Sequence, residues 1–186
     1  HIVRFTFGCC VSQFEKKAYH TTTMPEGEQV VLAQGFDECL SGLDYMSDIG
    51  HLAYVTGSAY DAPEGWSVSG TVTASIGYVR LAANSVLTTP ALASLGSTPT
   101  DIVVSFKAVV RCSSTDAIDK KDITVQVAEG DGTVEVQPDT TNEFTKRADC
   151  FVWRTFTVRV TGATASTRLA FSNTGQWFLD DIVVTK

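Results

Sequence analysis

Gln176-Trp177-Phe178-Leu179-Asp180-Asp181-Ile182-Val183-Val184 is the stretch on which the fold turns. Aromatic and β-branched residues occupy both parities, the composition of a strand buried on two faces. Two adjacent acids interrupt it. Side chains alternate across a strand, so Asp180 shares a parity with Phe178, Ile182 and Val184, and Asp181 shares the other with Trp177, Leu179 and Val183. One carboxylate is therefore expected on an apolar parity, where it needs backbone donors, a basic partner or a cation. The pattern points to a structural metal or a hydrogen-bond network before it points to catalysis.

Working outward from this strand, the rest of the chain reads as more strands separated by turns. Residues 2–7 alternate Val3, Phe5 and Phe7 with Arg4 and Thr6, and residues 29–36 form a second run. Residues 77–82, 86–89, 101–111, 122–128, 151–160 and 168–172 follow. Residues 101–111 are apolar on both parities at their start, as a central strand would be. In 151–160, Val152, Phe156, Val158 and Val160 take the core face, and Trp153 takes the opposite one. Glu129-Gly130-Asp131-Gly132 has hairpin chemistry, with residues 133–136 returning. No helix is signalled. About nine or ten short strands with turns between them predict an all-β fold, an antiparallel β-sandwich of the jelly-roll, galactose-binding-like kind. The sandwich is expected over residues 29–186, with 1–28 an extra strand, a linker or the remnant of a preceding domain.

Composition narrows the partners. The chain has 186 residues, 14 Lys+Arg against 21 Asp+Glu, and a formal charge of -7, which argues against nucleic acid. No apolar run approaches the roughly 20 residues that span a bilayer, so no membrane insertion is expected. The sequence starts at His1 without a leader, as a processed or excised segment of a multidomain parent would, and this leaves export open. Cysteines 9, 10, 39, 112 and 150 are odd in number and match neither a redox nor a zinc spacing. Pairing of Cys112 with Cys150 stays open at this level.

Catalytic spacings are missing. His1, His20 and His51 are scattered, and there is no nucleophile elbow, phosphate loop or dinucleotide fingerprint. Asp116, Asp119 and Asp122 recur in a charged loop without calcium-loop spacing. These absences argue against an enzyme and leave, as the lesser alternative, a glycan-active hydrolase using carboxylates, for which Glu38 with Asp180 or Asp181 is the pair to test. What remains is a set of aromatics, Tyr45, Tyr54, Tyr60, Trp66 and Trp153, whose rings can stack on sugars. Pro63-Glu64-Gly65 precedes Trp66 as a tight turn, so that Trp66 is expected to anchor the long loop by packing.

Taken in order, Gly35-Phe36-Asp37-Glu38, Pro63-Glu64-Gly65-Trp66, Gly77-Tyr78-Val79-Arg80-Leu81, Leu87-Thr88-Thr89-Pro90-Ala91-Leu92, residues 102–106 and the closing Phe178-Leu179-Asp180-Asp181-Ile182-Val183-Val184 resemble the cleaved-adhesin and MAM-like jelly-roll modules of secreted and surface Bacteroidetes proteins. They are also similar to galactose-binding-like carbohydrate-binding sandwiches. The resemblance implies that the first and last strands meet, and that Asp37, Glu38 and Asp180 hold a structural calcium. It implies a secreted or cell-surface binding module for glycan, or a docking module for a surface protein.

Overall fold

The computed structural model describes residues 28–39, 58–112, 118 and 120–186. The expectations placed on residues 2–7, Cys9, Cys10, Tyr45 and Tyr54 lie outside the described residues. Eleven strands build two antiparallel sheets: β1 Val30–Gln34, β2 Ser67–Ser69, β3 Val72–Ser75, β4 Tyr78–Leu81, β5 Val86–Thr88, β6 Thr100–Val110, β7 Ile123–Glu129, β8 Thr133–Val134, β9 Arg154–Ala163, β10 Arg168–Asn173 and β11 Trp177–Thr185. The larger sheet runs β3-β4-β11-β6-β9-β8 with β1 also on β11, and the smaller runs β2-β5-β10-β7. Short 3-10 turns at Ala93–Leu95 and Arg147–Phe151 are the only helical segments among the described residues. No helix there is long and apolar enough to cross a membrane.

β6 is central because both of its flanks are paired, β11 on one side and β9 on the other. Its inward row, Ile102, Val104, Phe106, Ala108 and Val110, is buried and faces Leu87, Val125, Leu169 and Phe171 of the smaller sheet. Phe106 and Phe171 meet edge to face at 5.2 Å across the gap. Burying side chains of this size stabilises the fold by about 1.5–3 kcal/mol each. Phe144 closes one end, 5.4 Å from Trp177 and 6.4 Å from Phe156. Cys112 and Cys150 form a disulfide, and Cys39 is a free, buried thiol.

Two local expectations need correction. Residues 133–136 do not return along β7 as a hairpin, because β8 crosses to the larger sheet and pairs β9. The linking turn is held elsewhere: Thr167 Oγ1 donates to Asp131 O, and Thr164 Oγ1 to Asp131 Oδ2 at 3.0 Å. A Cβ on Gly130 would lie 2.5 Å from the Ser166 backbone, and its φ of 76° suits glycine. Val152 does not face the core; it is 42% exposed. The 3-10 turn at Arg147–Phe151 delays the strand to Arg154, and Val152 falls in the connection.

Candidate functional site at the bulge of β11 and the outer face of the larger sheet

β11 is flanked by β6 along its length, but its other flank is shared. β4 pairs Trp177, Phe178 and Leu179, and β1 pairs Ile182, Val183, Val184 and Thr185. Asp180 and Asp181 sit where one neighbour stops and the other begins. At that point β11 carries one extra residue: Asp180 opposes Lys107 and Val183 opposes Ser105. Asp181 takes a φ of 46°, a left-handed conformation that aspartate tolerates better than most residues. The bulge flips the parity. Trp177 and Leu179 point inward before it, Ile182 and Val184 after it, and all four are fully buried. Strict alternation predicted an acid on an apolar parity; the extra residue removes that conflict and leaves both acids half-buried on the outer side.

Each acid has protein partners. Asp180 Oδ1 accepts the Asp181 N–H at 2.7 Å, and Asp181 Oδ2 pairs with Lys107 Nζ at 2.6 Å. The chain leaving β1 folds against the same junction. Phe36, with φ 51°, is fully buried, Cys39 N–H donates to Phe36 O at 2.8 Å, and Gly77 N–H donates to Cys39 O at 2.9 Å. A Cβ on Gly35 would lie 3.5 Å from Asp181 Oδ1 and 3.6 Å from Asp37 Oδ2, so these two oxygens converge on the open side of the glycine. Glu38 Oε1 accepts from Gln34 Nε2 at 2.6 Å and from the Tyr60 hydroxyl at 3.4 Å.

The electrostatics follow from this crowding. Burial first, then the neighbouring Asp181, pushes the Asp180 carboxyl up to about 7, against the pull of the Asp181 N–H and of Lys107. Asp37 adds to the rise. Burial, helped by Glu38 and Asp180, pushes the Cys39 thiol up to about 12, so it stays protonated and inert. Burial and Glu38 raise the Tyr60 phenol as well.

Asp37, Glu38 and Asp180 thus share one corner of the fold. Among the described residues, however, no three acidic, histidine or cysteine side chains gather as a metal-binding group. Glu38 is turned to Gln34 and Tyr60, and Asp180 to the backbone beside it. Calcium takes six to eight oxygens. The convergence over Gly35 supplies carboxylate oxygens from two residues, so main-chain carbonyls and water would have to complete the shell of any calcium held there.

The aromatic candidates divide by environment. Tyr60 is 8% exposed, with its ring 5.7 Å from Phe36. Trp66 N–H closes the turn on Pro63 O at 3.0 Å, and its partly buried ring meets Phe36 edge to face at 6.2 Å. Trp66 therefore packs, as the turn chemistry predicts. Trp153 lies on the outer face, partly buried like Trp66 and likewise packed against the buried cluster, edge to face with Tyr78 at 5.3 Å, and Tyr78 meets Phe178 at 5.7 Å. Tyr78 covers part of Phe178, which points away from the core.

Beside Trp153 the outer face carries hydroxyls in rows. Thr155 and Thr157 of β9 are exposed and oppose Lys107 and Ser105 of β6. Further along, Arg159 pairs with Asp101 at 2.8 Å and with Glu135 at 3.5 Å. A shallow depression of about 280 Å³ there is lined by Glu28, Asp101, Val103, Arg159, Thr185 and Lys186. Lys107 and Ser105 were absent from the sequence-derived site, although their outward parity on β6 was readable. Tyr78 was readable only as strand, because its partner Trp153 is 75 positions away, a separation that only the sheet order closes.

No protein-family model matches the chain, and no curated protein matches it. Similar solved structures include the CBM22-1 xylan-binding domain of Paenibacillus barcinonensis Xyn10C, 13% identical, with 87% of this chain and 96% of that one covered and a TM-score of 0.47. They also include the K3 cleaved adhesin domain of Lys-gingipain from Porphyromonas gingivalis w83, 17% identical, with 86% and 99% covered and a TM-score of 0.44. The chain is an antiparallel jelly-roll β-sandwich. Identities this low transfer no residue role.

Proposed function

We propose that the chain is a non-catalytic binding module that engages polysaccharide through the outer face of its larger sheet, with Trp153 as the stacking platform. The observation that carries this is the state of Trp153: partly exposed, yet braced by Tyr78. A ring held in one orientation loses little entropy when a sugar stacks on it. Thr155, Thr157 and Ser105 supply hydroxyls, and Lys107 and Asp181 a donor and an acceptor, at the spacing of a flat sheet. The Cys112–Cys150 disulfide supports a secreted or cell-surface setting, where such bonds persist. The test is affinity electrophoresis of the chain through xylan, mannan, mixed-linkage glucan and mucin. Retardation by at least one, lost in Trp153→Ala with unchanged melting, is expected. Migration unaffected by every gel overturns the glycan reading.

A protein-docking role within a larger surface protein is the second reading. The observation in its favour is the exposure of five aliphatic side chains among the described residues, Val136 at 74%, Val30 at 44%, Ile76 and Val152 at 42% and Val68 at 38%.

We also propose, on narrower ground, that calcium binds at the junction of β1, β4 and β11. Its support is the convergence of Asp37 and Asp181 oxygens over Gly35, next to an Asp180 carboxyl held up first by burial and then by the neighbouring Asp181. A cation that binds only the folded form stabilises it by about 2.7 kcal/mol at one hundred times its Kd. A higher melting temperature in millimolar calcium than in chelator is expected. Identical melts in the two sink the ion.

A further inference from the structure

The depression at the far end of the outer face from Trp153 is built differently from the rest of that face. Arg159 of β9, Val103 of β6 and Thr185 of β11 stand in one row across three paired strands, about 10 Å from end to end. Val103 gives the depression an apolar patch, and Glu28, Asp101, Arg159 and Lys186 surround it with charge. Arg159 is held from two directions. Its Nη2 donates to Asp101 Oδ2 at 2.8 Å, and its Nε lies 3.5 Å from Glu135 Oε2. Asp101 is fixed in turn, because its Oδ1 accepts the Gly162 N–H at 3.2 Å. These contacts occupy part of the guanidinium fork and leave its other N–H groups available, on a side chain that is 57% exposed. The result is an oriented donor beside an oriented acceptor, next to an apolar patch.

We infer that this depression is a second sugar subsite, that it takes an uncharged ring, and that the polysaccharide lies along β9 from Trp153 to Arg159. The inference rests on the glycan reading above and narrows it to neutral chains. The apolar face of a pyranose ring covers Val103, while its hydroxyls accept from the remaining Arg159 N–H groups and donate to Asp101. Trp153 and Arg159 are separated by roughly 20 Å of extended chain, longer than a disaccharide. Between them the exposed Thr155 and Thr157 line the path with hydroxyls. Charge selects the class. Asp101 and Glu135 already flank the guanidinium, and Glu28 lines the same depression, so a uronate or a sulfate meets carboxylates beside every cation it approaches there except Lys186. Like charges brought together in this way reject a partner, and a neutral diol meets no such repulsion.

Affinity electrophoresis in matched gels tests this, with the hydroxyethyl and carboxymethyl ethers of xylan, mannan and mixed-linkage glucan at equal substitution, and mucin beside them. The two ethers of one polymer differ in charge and little in bulk. The neutral ether of at least one polymer is expected to retard the chain, and its acidic partner to retard it far less. Arg159→Ala is expected to weaken binding to the neutral ether about tenfold. Its melting temperature should stay close to the parent's, because exposed ion pairs add little stability. The double variant Asp101→Asn, Glu135→Gln keeps the acceptors and removes their charge, and is expected to narrow the gap between the two ethers, which a merely structural role would not do. Equal or stronger retardation by the acidic ether, or by mucin alone, overturns the inference. So does an Arg159→Ala chain that binds like the parent, or a double variant that keeps the parent's preference. In each of these cases loss of binding in Trp153→Ala leaves the broader glycan reading standing, whereas retardation by no gel at all overturns both.

Discussion

Lys107 Nζ lies 2.6 Å from Asp181 Oδ2, at the point where β11 holds one residue more than the β6 register requires. The pair ties the bulge to the neighbouring strand and offsets part of the negative charge that Asp37, Asp180 and Asp181 bring together. Lys107→Met is expected to lower stability by about 1 kcal/mol at pH 8, a modest figure because both side chains keep about a third of their surface in water. Removing the cation also raises the Asp180 carboxyl further. NMR titration of the Asp180 carboxyl in the two proteins measures this; an unchanged or lower value would show that Lys107 does not act on it.

Asp180 makes stability depend on pH with an unusual sign for a carboxylate. Its folded pKa of about 7 stands above the ordinary 3.8, so the folded state holds its proton more tightly than the unfolded chain does. Ionising it costs nothing below the unfolded value. The cost grows as pH rises from about 4 to about 7 and is complete above that, on the order of 2–4 kcal/mol. Asp180→Asn, which still offers an acceptor to the Asp181 N–H, is expected to melt higher than the parent at pH 8 in chelator and alike near pH 4. Urea denaturation at both pH values decides it, and equal stability at pH 8 would contradict the assigned strain.

Trp66 and Trp153 should separate packing from recognition. Trp66→Ala removes a partly buried ring from the Phe36 cluster and is expected to cost about 2–3 kcal/mol, below the full burial value. Trp153→Ala is expected to cost less, about 1 kcal/mol, while abolishing retention in polysaccharide gels. Thermal melts run beside the gels give both readings. The opposite pattern, with Trp66→Ala melting like the parent and losing ligand, would move the platform to Trp66.

Reduction of Cys112–Cys150, which closes a loop with a sequence separation of 38, is expected to lower stability by about 2–4 kcal/mol. Cys39 should stay unmodified by a thiol reagent in the native state, because its thiol is buried and held protonated. Mass spectrometry of the alkylated native protein, followed by the same measurement in denaturant, checks this second point.

Much of the β-sandwich was legible from the chain alone. Alternation over β6, β7, β9 and β11 named the strands, the two apolar parities of β6 named it central, and the Pro63-Glu64-Gly65 turn placed Trp66 on the core. Those signals are local, because side-chain direction in a strand follows from position along it. The outward parity of Trp153 was readable for the same reason. Tertiary structure decided the rest. A bulge needs a partner strand to be defined, so no periodicity could tell that Asp181 is the extra residue that keeps both acids off the core. Hairpin chemistry at Gly130 and Gly132 could not say which sheet β8 joins, since that is set by the hold of Thr164 and Thr167 on Asp131.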